Sequence, residues 1–279
     1  MHPIRPDKTQ PITFQGALAL TFVAWFAEVM VSMLLRPFLL RHGMQPMAAA
    51  SLVRVVCYGL VFSAMLHVNG LTYRRLFHEG PASVGATLGV LGPPLLLMVP
   101  LILLLDSLAM MVVDALLPMS RGEAQMMSEM ANGSIGAWAL VCIIAPFIEE
   151  MFFRGILLRG MLKRYGQADA TVYSAFVFGV AHLNVYQFVI AFAVGLFVAA
   201  LYCRTRSLWP GIVLHMGLNT GATIYAAVAP DGNALETPLG LWAIAVPLGL
   251  LGARILRRLL WRPTADAAPG GTEPPPDAA

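Results

Sequence analysis

The sequence predicts an all-α, polytopic membrane protein: a bundle of about eight transmembrane helices. Hydrophobic residues make up 58% of the 279 residues and charged residues only 12%, whereas about a quarter of the residues in soluble domains are charged. The apolar residues occur in long runs, and a helix needs roughly 20 such residues to cross the hydrocarbon core of a bilayer. We therefore expect the lipid bilayer to surround most of the chain.

The charge pattern argues against a nucleic-acid partner. The net charge is only +3, and the Lys and Arg residues stand between the apolar runs, as the positive-inside rule describes for membrane proteins. The sequence contains no basic patch with interleaved aromatic residues. The three cysteines, Cys57, Cys142 and Cys203, are far apart and lie in or at the end of apolar runs, so we interpret them as small core residues.

Eight segments qualify, or nearly qualify, as membrane spans. The fifth segment is short. It can be a membrane span only if its end near His182 opens onto a cavity lined by protein, because unsatisfied backbone groups are too costly in hydrocarbon. Residues 263–279, after the last span, are rich in Pro, Gly and Ala and should be disordered. The predicted spans are residues 14–35, 47–68, 85–117, 134–158, 170–182, 184–203, 208–228 and 238–260.

Basic residues near the span ends predict the orientation of the chain. The loop at residues 229–237 has no basic residue, and alternating it with the basic clusters puts both termini in the cytoplasm, in a protein of the cell (inner) membrane. Arg36, Arg41 and Arg54, near the first connection, fall on the wrong side and weaken this assignment. The clusters that support it are Arg5/Lys8, Arg74/Arg75, Arg159/Lys163/Arg164, Arg204/Arg206 and Arg254/Arg257/Arg258/Arg262.

Three ionisable residues, Glu149, Glu150 and Arg154, lie within one long apolar run. Each charge costs about 2.5 to 3.5 kcal/mol at mid-membrane even on lenient scales, so three of them imply a polar interior. Glu150 and Arg154 share a helix face, with the acid N-terminal to the base, which favours an ion pair. Glu149 then remains as the less compensated carboxylate, suited to act as a general base. The alternative is a structural salt bridge with a spare acid lining a water-filled crevice.

Two further polar motifs lie in apolar helices. One ends at His182, and the other contains His215 and Asn219, which are four residues apart and share a face. At about 1.5 Å of helix rise per residue, Glu149, His182 and His215 reach a similar depth. Two imidazoles, an amide and a carboxylate are the groups needed to activate water and to stabilise an oxyanion. For either histidine alone, an interhelical hydrogen bond is the simpler interpretation.

Three other acids lie in predicted spans: Glu28 in the first, and Asp106 and Asp114 in the third. Arg36 and Arg54 are candidate partners for them. We interpret these acids as structural groups or as polar groups that line a pathway.

Taken in chain order, the three motifs resemble those of the CPBP family, the type II CAAX prenyl endopeptidases and bacteriocin-processing (Abi) intramembrane proteases. The motifs are Glu149-Glu150-x-x-x-Arg154, Phe178-x-x-x-His182 and His215-x-x-x-Asn219, and the resemblance covers about residues 134–228. It implies proteolysis within or at the edge of the membrane. In that reaction Glu149 and His182 would activate the water, and His215 and Asn219 would hold the developing charge on the scissile carbonyl.

The resemblance also divides the chain. Residues 134–228 would form the catalytic helical core, and residues 1–133 the variable transmembrane helices packed around it. Residues 229–262 would add a C-terminal transmembrane helix before the tail at 263–279. The implied partner is a peptide or protein substrate in or near the membrane, either a membrane-associated substrate or a C-terminal peptide.

The cofactor and the class of function stay open at this stage. Glu149, His182 and His215 could make a His₂Glu zinc site, yet the H-E-x-x-H spacing of zincins is absent, and a metal-free glutamate mechanism fits equally well. The alternative functions are a non-catalytic immunity or scaffold protein and a proton-coupled transporter. A transporter should show an inverted repeat with paired broken helices, and we find no such repeat by eye.

Overall fold

A computed structural model describes residues 9–122, 125, 134–228 and 239–261, and within these ranges the chain is an α-helical bundle. The predicted disordered tail at 263–279 and the predicted outer loop at 229–237 lie outside the described residues. A single isolated bridge, between His78 and Ser207, is the only strand-like pairing in the described part. The helices are α1 (Phe14–Arg41), α2 (Pro46–Asn69), α3 (Tyr73–Phe77), α4 (Val84–Leu116), α5 (Ile135–Met161), α6 (Gln167–Val180), α7 (Val185–Thr205), α8 (Trp209–Val228) and α9 (Leu239–Leu260).

The polytopic helical bundle predicted from the sequence is confirmed, with fewer full-length spans than expected. Six of the described helices, namely α1, α2, α4, α5, α7 and α9, are long and apolar enough to cross a membrane. Helix α6 has 14 residues, or about 21 Å, which is shorter than the hydrocarbon core. Helix α8 has 20 residues and carries His215 and Asn219.

Helix α5 departs from regular α-helical geometry on both sides of its acidic pair. Leu140–Ile144 and Glu150–Leu158 are π-helical, and the short α-helical stretch Ala145–Glu149 lies between them. A π-helical turn contains an extra residue and occurs often at functional sites. The two glutamates therefore sit at the junction between the two geometries.

Helix α5 occupies the centre of the bundle. It contacts α2, the short α3, α6, α7 and α8, and every residue from Glu150 to Met161 is buried. Helix α1 packs on α2 and α6, while α4 packs on α8 and α9. The first two helices thus lie on the same side of the bundle as the predicted core motifs, and they form part of the walls around α5.

Two arginines used in the orientation argument are not exposed flanking charges. The Arg159 side chain is 1% exposed, pairs with the Glu79 carboxylate and donates from Nη1 to the Arg75 carbonyl oxygen, 3.2 Å away. Arg54 lies inside α2 and pairs with Glu28. Arg159 is a buried, paired charge because the connection between α3 and α4 brings Glu79 over it, and the orientation that its cluster predicts stays a prediction. Arg54 likewise gives no evidence against the predicted orientation.

Candidate active site

A cavity of about 550 Å³ lies within the bundle, and Glu149, His182, His215 and Asn219 all line it. Helix α5 supplies Glu149, the turn after α6 supplies His182, and α8 supplies His215 and Asn219. The expectation that the short helix α6 ends at a protein-lined cavity is confirmed. His182 and Leu183, in the turn that ends this helix, both line the cavity.

Glu149 presents its carboxylate to the cavity. Its side chain is 22% exposed, and Oε2 lies 3.7 Å from Nε2 of His215. This separation is within reach of a charge pair but beyond a hydrogen bond, so the carboxylate retains acceptor capacity for a ligand or a water.

Glu150, by contrast, is buried and bound to neighbouring side chains. Its side chain is 1% exposed, and its Oε1 accepts a hydrogen bond of 3.0 Å from Nη1 of Arg154, which confirms the predicted ion pair. Arg154 also donates from Nη2 to the carbonyl oxygen of Gly195 and stacks over the Phe178 ring, 4.3 Å from its centroid. The buried guanidinium thus ties α5 to α6 and α7.

His215 lies between the two carboxylates. Its Nδ1 is 3.2 Å from Oε1 of Glu150, and its Nε2 faces Glu149. A carboxylate paired with an arginine can only accept, so Nδ1 carries the hydrogen in this contact. Nε2 is then an acceptor when the ring is neutral and a donor when it is protonated.

His182 is oriented by the backbone. Its Nδ1 lies 2.9 Å from the carbonyl oxygen of Phe178, one helical turn earlier, so Nδ1 donates and the neutral ring keeps Nε2 as an acceptor. The chain turns sharply after it: Leu183 adopts a left-handed conformation with φ of +52°, and Asn184 caps the start of α7 through Tyr186 N and Gln187 N. No direct contact joins His182 to Glu149 or His215 in the described part of the chain.

One of the two side-chain N–H groups of Asn219 is hydrogen-bonded to protein, and the other has no protein partner among the described residues. Its Nδ2 donates to the carbonyl oxygen of Val141, at 2.8 Å. An amide nitrogen carries two hydrogens, so the second can point toward a ligand in the cavity. The bond to Val141 lies in the first π-helical stretch of α5 and holds the Asn219 side chain in place.

Small residues allow the helices around the site to approach closely. A methyl group on Gly211 would lie 2.6 Å from Val198 Cγ1 and 2.9 Å from Glu150 Oε2. A methyl group on Gly179 would lie 2.8 Å from the Phe188 ring. Glycine at position 211 therefore leaves the room that the Glu150 carboxylate occupies.

The three residues predicted as zinc donors share the cavity without forming a metal-binding cluster. Among the described residues, no group of three His, Cys, Asp or Glu side chains is arranged to hold a metal ion. Glu149 and His215 face each other, but His182 contacts neither of them. In this arrangement the three donors do not fit a single zinc ion, so we derive no step of the reaction through one.

The other membrane acids have separate surroundings. Glu28 pairs with Arg54 at 2.8 Å, so Arg54 and not Arg36 is its partner, and both line the cavity. Asp114 accepts from the Tyr186 hydroxyl at 3.1 Å, which ties the end of α4 to the start of α7. Asp106 Oδ1 is buried and has no hydrogen-bond partner among the described residues.

The sequence left Glu28 open as a structural group or one that lines a pathway, with Arg36 or Arg54 as its candidate partner, and it did not identify other residues of α1 and α2 as part of the cavity wall. Trp25 and Glu28 of α1 line it, as do Arg54 and Tyr58 of α2. The available signal was the pair of opposite charges in two consecutive apolar spans, which indicates a buried contact between them. That signal does not say which cavity the contact faces.

Comparisons with known proteins agree with the motifs. Residues 131–221 match the family model described as "Type II CAAX prenyl endopeptidase Rce1-like". Over 94 residues the chain is 31% identical to a protein of Bacillus subtilis (strain 168) named "Putative membrane peptidase YdiL", an alignment that covers 34% of this chain and 38% of that protein. No solved structure matches the chain. The resemblance read from the three motifs is thereby confirmed for this segment.

Proposed function

We propose that this chain, an integral membrane protein whose residues 131–221 match the type II CAAX prenyl endopeptidase Rce1-like family model, hydrolyses peptide bonds by means of a water activated at Glu149. The observation that carries the proposal is the shared cavity. Glu149, His182, His215 and Asn219 come from three separate elements, with His215 and Asn219 both on α8, and they line a single space of about 550 Å³. The cavity offers a general base and hydrogen-bond donors within an apolar bundle.

In the proposed reaction, Glu149 is the general base. A water held near Glu149 and the Nε2 acceptor of His182 loses a proton to the carboxylate, and its oxygen attacks the scissile carbonyl carbon. The carbonyl oxygen becomes an oxyanion. The amide bond then breaks, and the proton carried by Glu149 is transferred to the leaving amine.

His215 and Asn219 would stabilise the oxyanion. The second N–H of the Asn219 amide is free of protein partners in the described structure and can donate into the cavity. His215 can donate from Nε2 only in its doubly protonated form, because Nδ1 donates to Glu150. The Glu150–Arg154 pair would therefore act on the reaction through His215, by holding the ring in position.

We propose a metal-free mechanism because the residues needed for it are already in place. A mononuclear zinc site needs about three protein ligands and a water, and these three donors would have to move together to provide it. General-base catalysis requires only that Glu149 reach the water and that the donors reach the oxyanion.

The function is tested by peptide cleavage. Purified protein in detergent should cleave members of an apolar peptide library, and Glu149→Gln, which keeps the shape of the side chain but removes the base, should abolish cleavage. Asp106→Asn is a matched control, because it neutralises a membrane-embedded acid that does not line the cavity. Cleavage that persists in Glu149→Gln, or that Asp106→Asn removes equally, would contradict the assignment.

A further inference from the structure

A second charged pair faces the cavity, and it comes from helices outside the segment that matches the family model. Glu28 of α1 and Arg54 of α2 line the cavity, with Oε1 of Glu28 2.8 Å from Nε of Arg54. Their side chains are 18% and 33% exposed, respectively. Both residues lie inside long apolar helices, and both line a cavity there.

This contact uses only one of the hydrogen-bond donors of Arg54. A guanidinium carries five N–H donors, and the Glu28 contact engages the one on Nε. Among the described residues, no acceptor is hydrogen-bonded to Nη1 or Nη2 of Arg54. Arg154 differs, because both of its terminal nitrogens donate to protein oxygens and its side chain is fully buried.

An ion pair that served only to join α1 to α2 would contribute little net stability. Burying an ion pair costs desolvation of both charges, and well-packed apolar side chains often replace such pairs without loss of stability. An arginine that lines a cavity and has unused N–H donors on its guanidinium is suited to bind a ligand. Its planar geometry matches a carboxylate, which it can bind through two parallel hydrogen bonds.

The Glu149 carboxylate restricts where in the cavity a negatively charged ligand group can bind. Glu149 lines the same cavity as Arg54 and as Tyr58, one turn further along α2. A ligand carboxylate would be repelled by Glu149 and attracted by Arg54. A peptide bound with its negative group on Arg54 would leave a neutral amide for Glu149 to address.

We infer that Arg54, held by Glu28, is a specificity-determining residue that binds a carboxylate of the substrate peptide. The inference rests on the proposed peptidase function and names a chemical feature of its substrate. The carboxylate can come from the C-terminus of the peptide or from an Asp or Glu side chain. Both sources present the same planar anion to the guanidinium.

The test compares short apolar fluorescent peptides of one parent sequence in three forms: a free C-terminus, an amidated C-terminus, and an amidated C-terminus with one internal Asn replaced by Asp. Hydrolysis and equilibrium binding are both measured for the full-length protein in detergent. The variant is Glu28→Gln/Arg54→Gln, which removes both charges together and leaves neither unpaired. Glu28→Gln alone is the matched control, because it retains the guanidinium.

We expect the wild type and Glu28→Gln to prefer at least one carboxylate form over the neutral amide by about tenfold or more in binding and in kcat/KM, as a charge-assisted pair predicts. The double variant should lose this preference and still hydrolyse the amide. The form that is preferred identifies the source of the carboxylate. Thermal unfolding of each variant confirms that the bundle is intact.

The two proposals fail in different ways. If the wild type shows no carboxylate preference, or if the preference survives in the double variant, the role of Arg54 is overturned even when peptides are cleaved. If no peptide is cleaved but binding shows a carboxylate preference that depends on Arg54, the peptidase function fails and the Arg54 site stands.

Discussion

The Nδ1 atom of His215 lies 3.2 Å from Oε1 of Glu150, the same carboxylate oxygen that accepts a hydrogen bond from Arg154. This shared oxygen links a buried ion pair to a residue of the cavity wall. It assigns the hydrogen on the imidazole and directs Nε2 toward Glu149. Glu149 and Glu150, adjacent in sequence, thus act on opposite nitrogens of one ring.

The four cavity residues should behave as a unit. Single alanine substitutions of Glu149, His182, His215 and Asn219 should each remove most peptidase activity, and double substitutions should add little, because residues that act in one step are strongly non-additive. Cleavage kinetics of the single and double variants provide the measurement. Modest losses that simply add across the four sites would indicate separate structural roles.

Removing Arg154 should destabilise the bundle. Its side chain is fully buried, and Arg154→Ala leaves the Glu150 carboxylate without its ion-pair partner, which typically costs about 3 to 5 kcal/mol. The measurement is thermal or denaturant-induced unfolding in detergent. Arg36→Ala is the control, because Arg36 is exposed on α1. Equal losses in the two variants would refute a structural role for the Glu150–Arg154 pair, whereas Glu150→Gln/Arg154→Ala should recover part of the loss.

Gly211→Ala should reduce activity more than a comparable substitution elsewhere. The added methyl would lie 2.9 Å from Glu150 Oε2 and 2.6 Å from Val198 Cγ1, so Glu150 or α8 must shift and His215 with it. Gly92→Ala in α4 is the control, because its methyl would meet nothing within 4 Å. We expect at least a tenfold loss of kcat/KM for Gly211→Ala, about 1.4 kcal/mol, and little change for Gly92→Ala. Full activity in Gly211→Ala would show that the position of Glu150 does not matter.

The metal-free proposal predicts that active protein contains no stoichiometric zinc. Metal analysis of the purified enzyme should find less than one ion per chain, and chelator treatment should leave cleavage unchanged. Stoichiometric zinc whose removal abolishes cleavage and whose return restores it would refute the proposal. His182 and His215 would then be ligands, and the cavity would have to contract to bring them together with Glu149.

The orientation of the chain remains a prediction that labelling can check. Single cysteines replacing Lys163, Arg204 and Asn233 in a background without Cys57, Cys142 and Cys203 should divide into two groups. The first two positions should react with membrane-impermeant reagents only from the cytoplasmic side, and position 233 only from the other side. Lys163 and Arg204 are suitable because both are exposed. The reverse pattern would invert the topology.

Much of the site could be predicted because its signals are local. The Glu150–Arg154 pair follows from helical spacing, and α5 brings the two side chains together even though its backbone there is π-helical. The shared face of His215 and Asn219 follows from the same spacing, and both line the cavity. The short predicted span before His182 correctly implied a cavity at its end, because hydrocarbon does not tolerate free backbone groups.

Contacts between distant segments could not be predicted in this way. The sequence by itself determined that the chain is a helical membrane bundle and that three ordered motifs hold the candidate site residues, because hydropathy and helical spacing are local properties. Only the tertiary structure decided that His215 lies between Glu149 and Glu150, that Glu79 buries Arg159, and that the Glu28–Arg54 pair faces the cavity. These contacts depend on which faces of separate helices pack together, and that choice is a property of the whole bundle that no single segment encodes.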